Sequence, residues 1–309
     1  MPQPIAGVLP VVHVPFDDND SIDYASLDRL VDWALVEGAQ GCCTGMVSEL
    51  LRLTTDERLE LTRHLGKQVG DRGAVVIGVG AESTKQAIQY ARCAERAGCD
   101  AVMAIPPMSS ALPPAALREY FSSLADAVSL PLIIQDASSY VGQEIPLEVS
   151  RGLLDQYGED KILFKPEASP LGPKLSQLRD ATEGRARILE GSGGFALVDS
   201  YRRGIVGTIP GMEFLPAVVR LWQALTDGDE QTTYRIFLPL AALVSLQLQA
   251  GLDGFLAIEK YLLNQYGLFP TTHRRKPYSW SLDDETRAEM ERLLTLLDAA
   301  MDEPDQKAS

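Results

Sequence analysis

Lys161-Ile162-Leu163-Phe164-Lys165-Pro166-Glu167-Ala168 reads as a short buried strand that ends on a cation and turns at once into a loop. Three consecutive apolar residues flanked by Lys161 and Pro166 fit a strand covered on both faces, the kind found in parallel sheets. Lys165 then stands where strand gives way to loop. Two readings of it are open. It is either a solvated lysine at a strand end, or an amine whose partial desolvation favours the uncharged nucleophile that traps a carbonyl as an imine.

Working outward, the same kind of run recurs along the chain. Candidate strands begin near Gly7, Gly41, Ala74, Ala101, Pro131, Lys161, Arg187 and Gly204. Amphipathic patterns lie between them, over Tyr24–Glu37, Thr54–Val69, Thr84–Ala97, Pro114–Val128, Leu147–Tyr157 and Leu171–Ala181. Ser83 is placed to cap the third of these, and Gly38, Gly98 and Gly158 stand just past helix ends. This alternation predicts an α/β protein, a closed (β/α)8 TIM barrel, more readily than a doubly wound sheet. Gly78-Val79-Gly80-Ala81-Glu82-Ser83 lacks the third glycine of a dinucleotide-binding turn. After an eighth helix near Phe214–Leu225, helical segments near Gln231–Gln249, Gly254–Gln265 and Asp283–Met301 predict a C-terminal helical extension. The barrel is assigned to residues 1–227 and the extension to 228–309, with Glu303–Ser309 as a frayed tail.

The 309 residues are 45% hydrophobic and 23% charged, as in ordinary soluble enzymes, and carry a formal net charge of −15. That charge disfavours nucleic acid or an anionic membrane as partner. No apolar stretch is long enough to span a bilayer, and the first residues lack signal-peptide character, so a cytoplasmic location is expected. Cys42, Cys43, Cys93 and Cys99 form no C-x-x-C pair, and His13, His64 and His273 share no ligand spacing. Neither a disulfide framework nor a metal site is expected.

Barrel enzymes carry their chemistry at the C-terminal ends of the strands. Those ends are Pro10–Pro15, Thr44–Glu49, Gly78–Ser83, Ala104–Pro107, Gln135–Ser138, Lys165–Glu167, Glu190–Ser192 and Thr208–Gly211. Lys165 is the one lysine among them, in a mouth otherwise rich in small, amide and hydroxyl groups. Its companions each keep two readings. Gln135 either satisfies a buried strand end or orients a catalytic water. Ser48 is a cap, a substrate contact, or both, and Glu49 is a structural hydrogen-bond partner or a base. Asp136 and Glu190 read as structural carboxylates under the pocket, Glu167 pairs with a nearby cation or stays solvated, and His13 reads as a packing or hydrogen-bonding residue.

The chain resembles the dihydrodipicolinate synthase / N-acetylneuraminate lyase superfamily of class I, Schiff-base lyases. The resemblance rests on collinear stretches: Gly7–Phe16 with Ile22-Asp23, Gly45–Glu49 with Leu53-Thr54 and Asp56–Arg58, Gly78–Gly80, Pro131–Gln135, Phe164–Ala168 and Gly204–Ile209. It implies that Lys165 forms an imine with the keto carbon of pyruvate or a related 2-oxo acid, with Gln135 as catalytic companion. It further implies that Val47, Ser48, Gly191 and Ile209 contact the substrate, the carboxylate resting on the Val47 and Ser48 N–H groups and the Ser48 hydroxyl. No cofactor is implied, since the imine is the electron sink, and a homotetramer or homodimer is.

Departures from the family pattern are equally informative. Met46 and Val47 stand where the lysine-pathway synthases have threonines, Gln135 where most members have a relay tyrosine, Met108 where a neighbouring subunit's tyrosine is offered, and Tyr140 where an arginine grips the second substrate. Methionine and valine side chains neither move protons nor bind carboxylates. Pro131–Ala137, Met103–Pro107, Ser48-Glu49 and Glu190-Gly191 instead resemble the branch typified by L-2-keto-3-deoxyarabonate dehydratase. The expected activity is a dehydratase or aldolase acting on a 2-keto-3-deoxy sugar acid. A metal-dependent barrel enzyme and a catalytically silent 2-oxo acid binding protein are the alternatives.

Overall fold

Residues of alternate parity on each strand separate into two apolar layers, and this separation builds the architecture. The computed structural model describes residues 3–303; of the expected tail, only Glu303 lies among them. The strands are β1 (Gly7–Val8), β2 (Gly41–Cys43), β3 (Ala74–Gly78), β4 (Ala101–Ala104), β5 (Leu132–Asp136), β6 (Ile162–Pro166), β7 (Arg187–Glu190) and β8 (Gly207–Thr208). Cys43, Val76, Met103, Ile133, Leu163 and Leu189 point inward and pack in the barrel interior with Leu9 and Ile209. Their neighbours Cys42, Val75, Val102, Leu132, Ile162 and Ile188 point outward into the layer beneath the helices. A period of two with both faces apolar explains why the strands read as continuous hydrophobic runs.

All strand pairs are parallel, in the order β1-β8-β7-β6-β5-β4-β3-β2. The ring closes between β1 and β2 through a parallel bridge of Val11 with Cys43, where Cys43 N–H donates to the Pro10 carbonyl (2.9 Å). The expected (β/α)8 barrel is therefore present. β8 starts at Gly207, later than the sequence suggested. Gly204, with φ +90°, belongs to the turn that ends the preceding helix.

The barrel helices are α1 (Tyr24–Val36), α2 (Thr55–Val69), α3 (Thr84–Arg96), α4 (Pro114–Ala127), α5 (Leu147–Tyr157), α6 (Leu171–Ala181), α7 (Leu197–Arg202) and α8 (Leu215–Asp227). α7 has only six residues, too few for a helical period to stand out in the sequence. Ser83 caps α3 by accepting from Gln86 N–H, as expected. Thr54 and Glu57 form a reciprocal capping box at α2, an arrangement whose loss costs about 1 kcal/mol.

The extension comprises α9 (Glu230–Leu248), α10 (Gly251–Gln265) and α11 (Asp284–Asp302). Leu240, Leu243 and Val244 of α9 and Ile258, Leu262 and Leu263 of α10 join the apolar layer of the barrel helices. α10 packs against the short 3-10 turn Met46–Ser48, which places the extension over the C-terminal mouth of the barrel. Among the described residues, no helix is long and apolar enough to cross a membrane.

Candidate active site

β5 and β6 pair so that Gln135 lies beside Lys165 in register, and both continue the inward parity of Ile133 and Leu163. At this level the interior stops being apolar. Lys165, only 4% exposed, forms an ion pair with Glu167 (Nζ to Oε1, 3.0 Å). Glu167 is two residues further along the same strand end, hence on the same side. Its other oxygen accepts from the Gln135 amide (2.6 Å) and the Tyr140 hydroxyl (3.0 Å). One carboxylate thus gathers an ammonium, an amide and a phenol. Burial and the adjacent Glu167 carboxylate push the Tyr140 hydroxyl well above its ordinary value, so it stays protonated and donates.

A cavity of about 530 Å³ opens above this cluster, walled by Met46, Val47, Tyr140, Gly191, Ile209, Leu252 and Phe255 among others, with Lys165 and Glu167 on its surface. Gly191 makes the cluster sterically possible. A Cβ there would lie 2.4 Å from Glu167 Oε1 and 2.6 Å from Lys165 Cε. Ile209, an apolar residue of the same wall, is 2% exposed.

Four of the expected residues, Lys165, Val47, Gly191 and Ile209, line one cavity, and Gln135 stands behind Glu167. Ser48 is placed differently from the expectation. It is fully buried; its hydroxyl donates to the Val12 carbonyl (2.5 Å) and accepts from Gly45 N–H (3.1 Å), while its own N–H is taken by the Gly45 carbonyl (3.1 Å). Tethering the strand-2 loop to strand 1 uses the groups that had been assigned to the substrate.

The structural readings hold for several carboxylates. Asp136 accepts from Ser138 and Ile145 N–H, and Glu190 from Ser192 N–H and the Thr208 hydroxyl. Glu49, in the left-handed region (φ +56°), accepts from Arg275 N–H (3.0 Å) and pairs with Lys260 (3.1 Å). Met46 packs with Ile105, Ala137 and Met108 in a small apolar cluster at the rim.

Of the two readings of Glu167, pairing with a nearby cation is the one realised, and Lys165 is that cation, as the i, i+2 spacing in a strand allows. One grouping escaped the sequence. It is a buried set from three distant elements: His13 beyond β1, Glu213 beyond β8 and Glu259 on α10. Their donor atoms lie within 4.8 Å of one another, so a histidine–carboxylate cluster does exist despite the uninformative spacing. His13 Nε2 is 2.6 Å from Glu259 Oε2, and Gln247 donates to Glu213 (2.8 Å). Burial holds the His13 imidazole down at about 4 and, with Glu259 adjacent, pushes Glu213 up to about 7.

A model of the dihydrodipicolinate synthetase family matches residues 4–297. The chain belongs to that family. It is a class I, Schiff-base-forming lyase, on a barrel whose mouth carries one buried lysine. Among similar proteins, the L-2-keto-3-deoxyarabonate dehydratase of Azospirillum brasilense is 28% identical over 306 residues, 94% of each chain. The 4-hydroxy-tetrahydrodipicolinate synthase of Bartonella quintana is 30% identical over 177 residues, 57% of this chain and 60% of that one. The dihydrodipicolinate synthase structure from Rhodopseudomonas palustris superimposes with a TM-score of 0.86 at 26% identity, covering 96% and 99% of the two chains.

Proposed function

We propose that this family member dehydrates a 2-keto-3-deoxy sugar acid through an imine on Lys165, and does not make dihydrodipicolinate. The observation that carries this reading is the Lys165–Glu167 pair at 3.0 Å, buttressed by Gln135 and Tyr140 and set in a cavity with no arginine on its wall among the described residues. Tyr140, where the synthases keep an arginine, is bonded to Glu167 instead. The dehydratase likeness spans 94% of both chains, which adds support.

The chemistry follows from the placement. Glu167 accepts a proton from the Lys165 ammonium, and the free amine adds to C2 of the substrate. The carbinolamine loses water to give an iminium, which acidifies the C3 hydrogens. Removal of one of them leaves an enamine, whose electron pair expels the hydroxyl from C4 as water when that oxygen is protonated. Gln135 orients Glu167, Val47 offers backbone to the substrate carboxylate, and Gly191 and Ile209 shape the space beside C2. The assembly is proposed to be a homodimer or homotetramer.

Incubation with pyruvate or a keto-deoxy acid and borohydride, followed by peptide mass analysis, is expected to place the adduct on Lys165. Lys165→Ala abolishes it, and a keto-deoxy acid panel reveals water loss. No adduct with any 2-oxo acid sinks the assignment. An adduct without turnover favours a silent 2-oxo acid binding protein.

A further inference from the structure

Leu252, Phe255 and Glu259 stand at i, i+3 and i+7 on α10, one face of that helix, and all three line the cavity that holds Lys165. Glu259 is the charged member of this face and is 1% exposed. It comes from the helical extension, on a different element from Lys165. Its Oε2 lies 2.6 Å from His13 Nε2, and its Oε1 crowds the same bare Cα as Glu213. A Cβ on Gly211 would meet Glu213 Oε2 at 2.2 Å and Glu259 Oε1 at 2.8 Å.

Charge decides what this cluster holds. Lys260, the neighbouring cation, is committed to Glu49 (3.1 Å) and to the carbonyls of Val14 and His273. Glu213 has the neutral Gln247 amide as its hydrogen-bond partner. Two fully buried carboxylates beside a neutral imidazole need a proton or a metal ion for compensation. His13 Nε2 and Glu259 Oε2 stand 2.6 Å apart without hydrogen-bond geometry between them, closer than the about 3 Å or more that separates two ligands of one ion given metal–ligand bonds of about 2 Å. The spacing favours a proton.

We propose that Glu259, held by His13 and Glu213, is the acid that protonates the departing C4 hydroxyl. The inference rests on the dehydratase reading above. In the step, the enamine nitrogen lone pair reforms C2=N, the C2=C3 pair moves to C3=C4, and the C4–O bond breaks toward oxygen. Oxygen takes the Glu259 proton and leaves as water, and Glu259 becomes a carboxylate. Burial drives Glu259 well above the usual carboxylate range, the direction that favours its acid form. Glu167 is suited to the opposite task, since Lys165, Gln135 and Tyr140 all present donors to it. His13 and Glu213 are positioning residues, and Lys260 and Glu49 are the other charged groups bearing on the cluster.

Glu259→Gln separates the steps. Pyruvate adduct formation at Lys165 and exchange of the pyruvate methyl hydrogens in deuterium oxide are expected to persist. Turnover of the keto-deoxy acid is expected to fall by about 10²- to 10⁴-fold. A 4-fluoro analogue, whose leaving group needs little protonation, should recover most of the loss. Should Glu259→Gln fail to fold, Glu213→Gln serves, with a displaced limb in the pH profile of dehydration and an unchanged profile for exchange. Wild-type rates of dehydration in Glu259→Gln overturn the inference alone. Wild-type enzyme that forms the adduct but dehydrates no keto-deoxy acid removes the dehydratase reading, and the inference falls with it. A stoichiometric divalent ion found by elemental analysis and lost in Glu259→Gln overturns it as well.

Discussion

Gly191 approaches Lys165 so closely that one added carbon would stand 2.6 Å from the lysine Cε, a distance no methyl group tolerates. Its φ is not in the left-handed region, so alanine meets no backbone objection and the effect isolates space. Gly191→Ala is expected to push Lys165 and Glu167 out of register. Displacements of about 1 Å cost on the order of 10²-fold in rate, while overpacking costs about 1–3 kcal/mol of stability. Borohydride trapping rates and a thermal melt measure the two separately. Unchanged trapping would show that the lysine does not use this space.

Glu167 joins three donors, and its replacement tests whether it handles the Lys165 proton. Glu167→Gln keeps the volume but removes the anion, and imine formation is expected to slow by about 10²- to 10⁴-fold. Tyr140→Phe removes one of the two hydrogen bonds to Glu167 and the one that the phenol accepts from the Gln135 amide, and is expected to cost only about 1–2 kcal/mol of stability. Stopped-flow trapping of both variants checks the ranking. Equal defects would assign the critical proton to the phenol.

Much of this site was legible because strand periodicity is local. Lys165, Gly191 and Ile209 fall at or just past strand ends, and one parity rule sends them to the mouth, where Val47 arrives on the 3-10 turn Met46–Ser48. Ser48 caps its turn as one of its readings had it, but its burial was not legible because its environment is not local: the Val12 carbonyl that takes its hydroxyl is 36 residues away. His13, Glu213 and Glu259 were invisible as a group for the same reason, since only barrel closure and the docking of α10 bring them together. Short β1, β8 and α7 carried too few residues for periodicity to fix their limits.

Lys260 and Glu49 show what the extension contributes to the barrel. Their side chains are 1% and 0% exposed and 3.1 Å apart, and Glu49 also binds Arg275 N–H. Glu49 keeps Arg52 at 3.4 Å, but losing Lys260 takes away its closer and fully buried cation, and removing one partner of a buried pair costs about 3–5 kcal/mol. Lys260→Met is expected to lower stability by that amount, and adding Glu49→Gln should restore part of it. Denaturant unfolding of the two singles and the double gives the coupling. Additive losses would mean the pair is not a unit.

The buried cluster also sets how stability responds to pH. Glu213 is raised from 4.5 to about 7 and Glu259 is raised too, so between about pH 4.5 and 6.5 the folded chain holds protons that the unfolded chain has released. Each contribution is fully present below the unfolded value and fades as pH rises through the folded one. His13 works in the opposite sense. It is lowered from 6.5 to about 4, so its contribution is present above 6.5 and fades as pH falls toward 4. Two carboxylates against one imidazole leave a net excess of one proton in the folded state. These three groups should therefore make stability fall with rising pH across that window. Glu213→Gln removes one carboxylate and should flatten the slope, because the remaining carboxylate and His13 then oppose each other. Denaturant midpoints of wild type and variant at several pH values test this. A variant as steep as wild type would place the excess proton elsewhere.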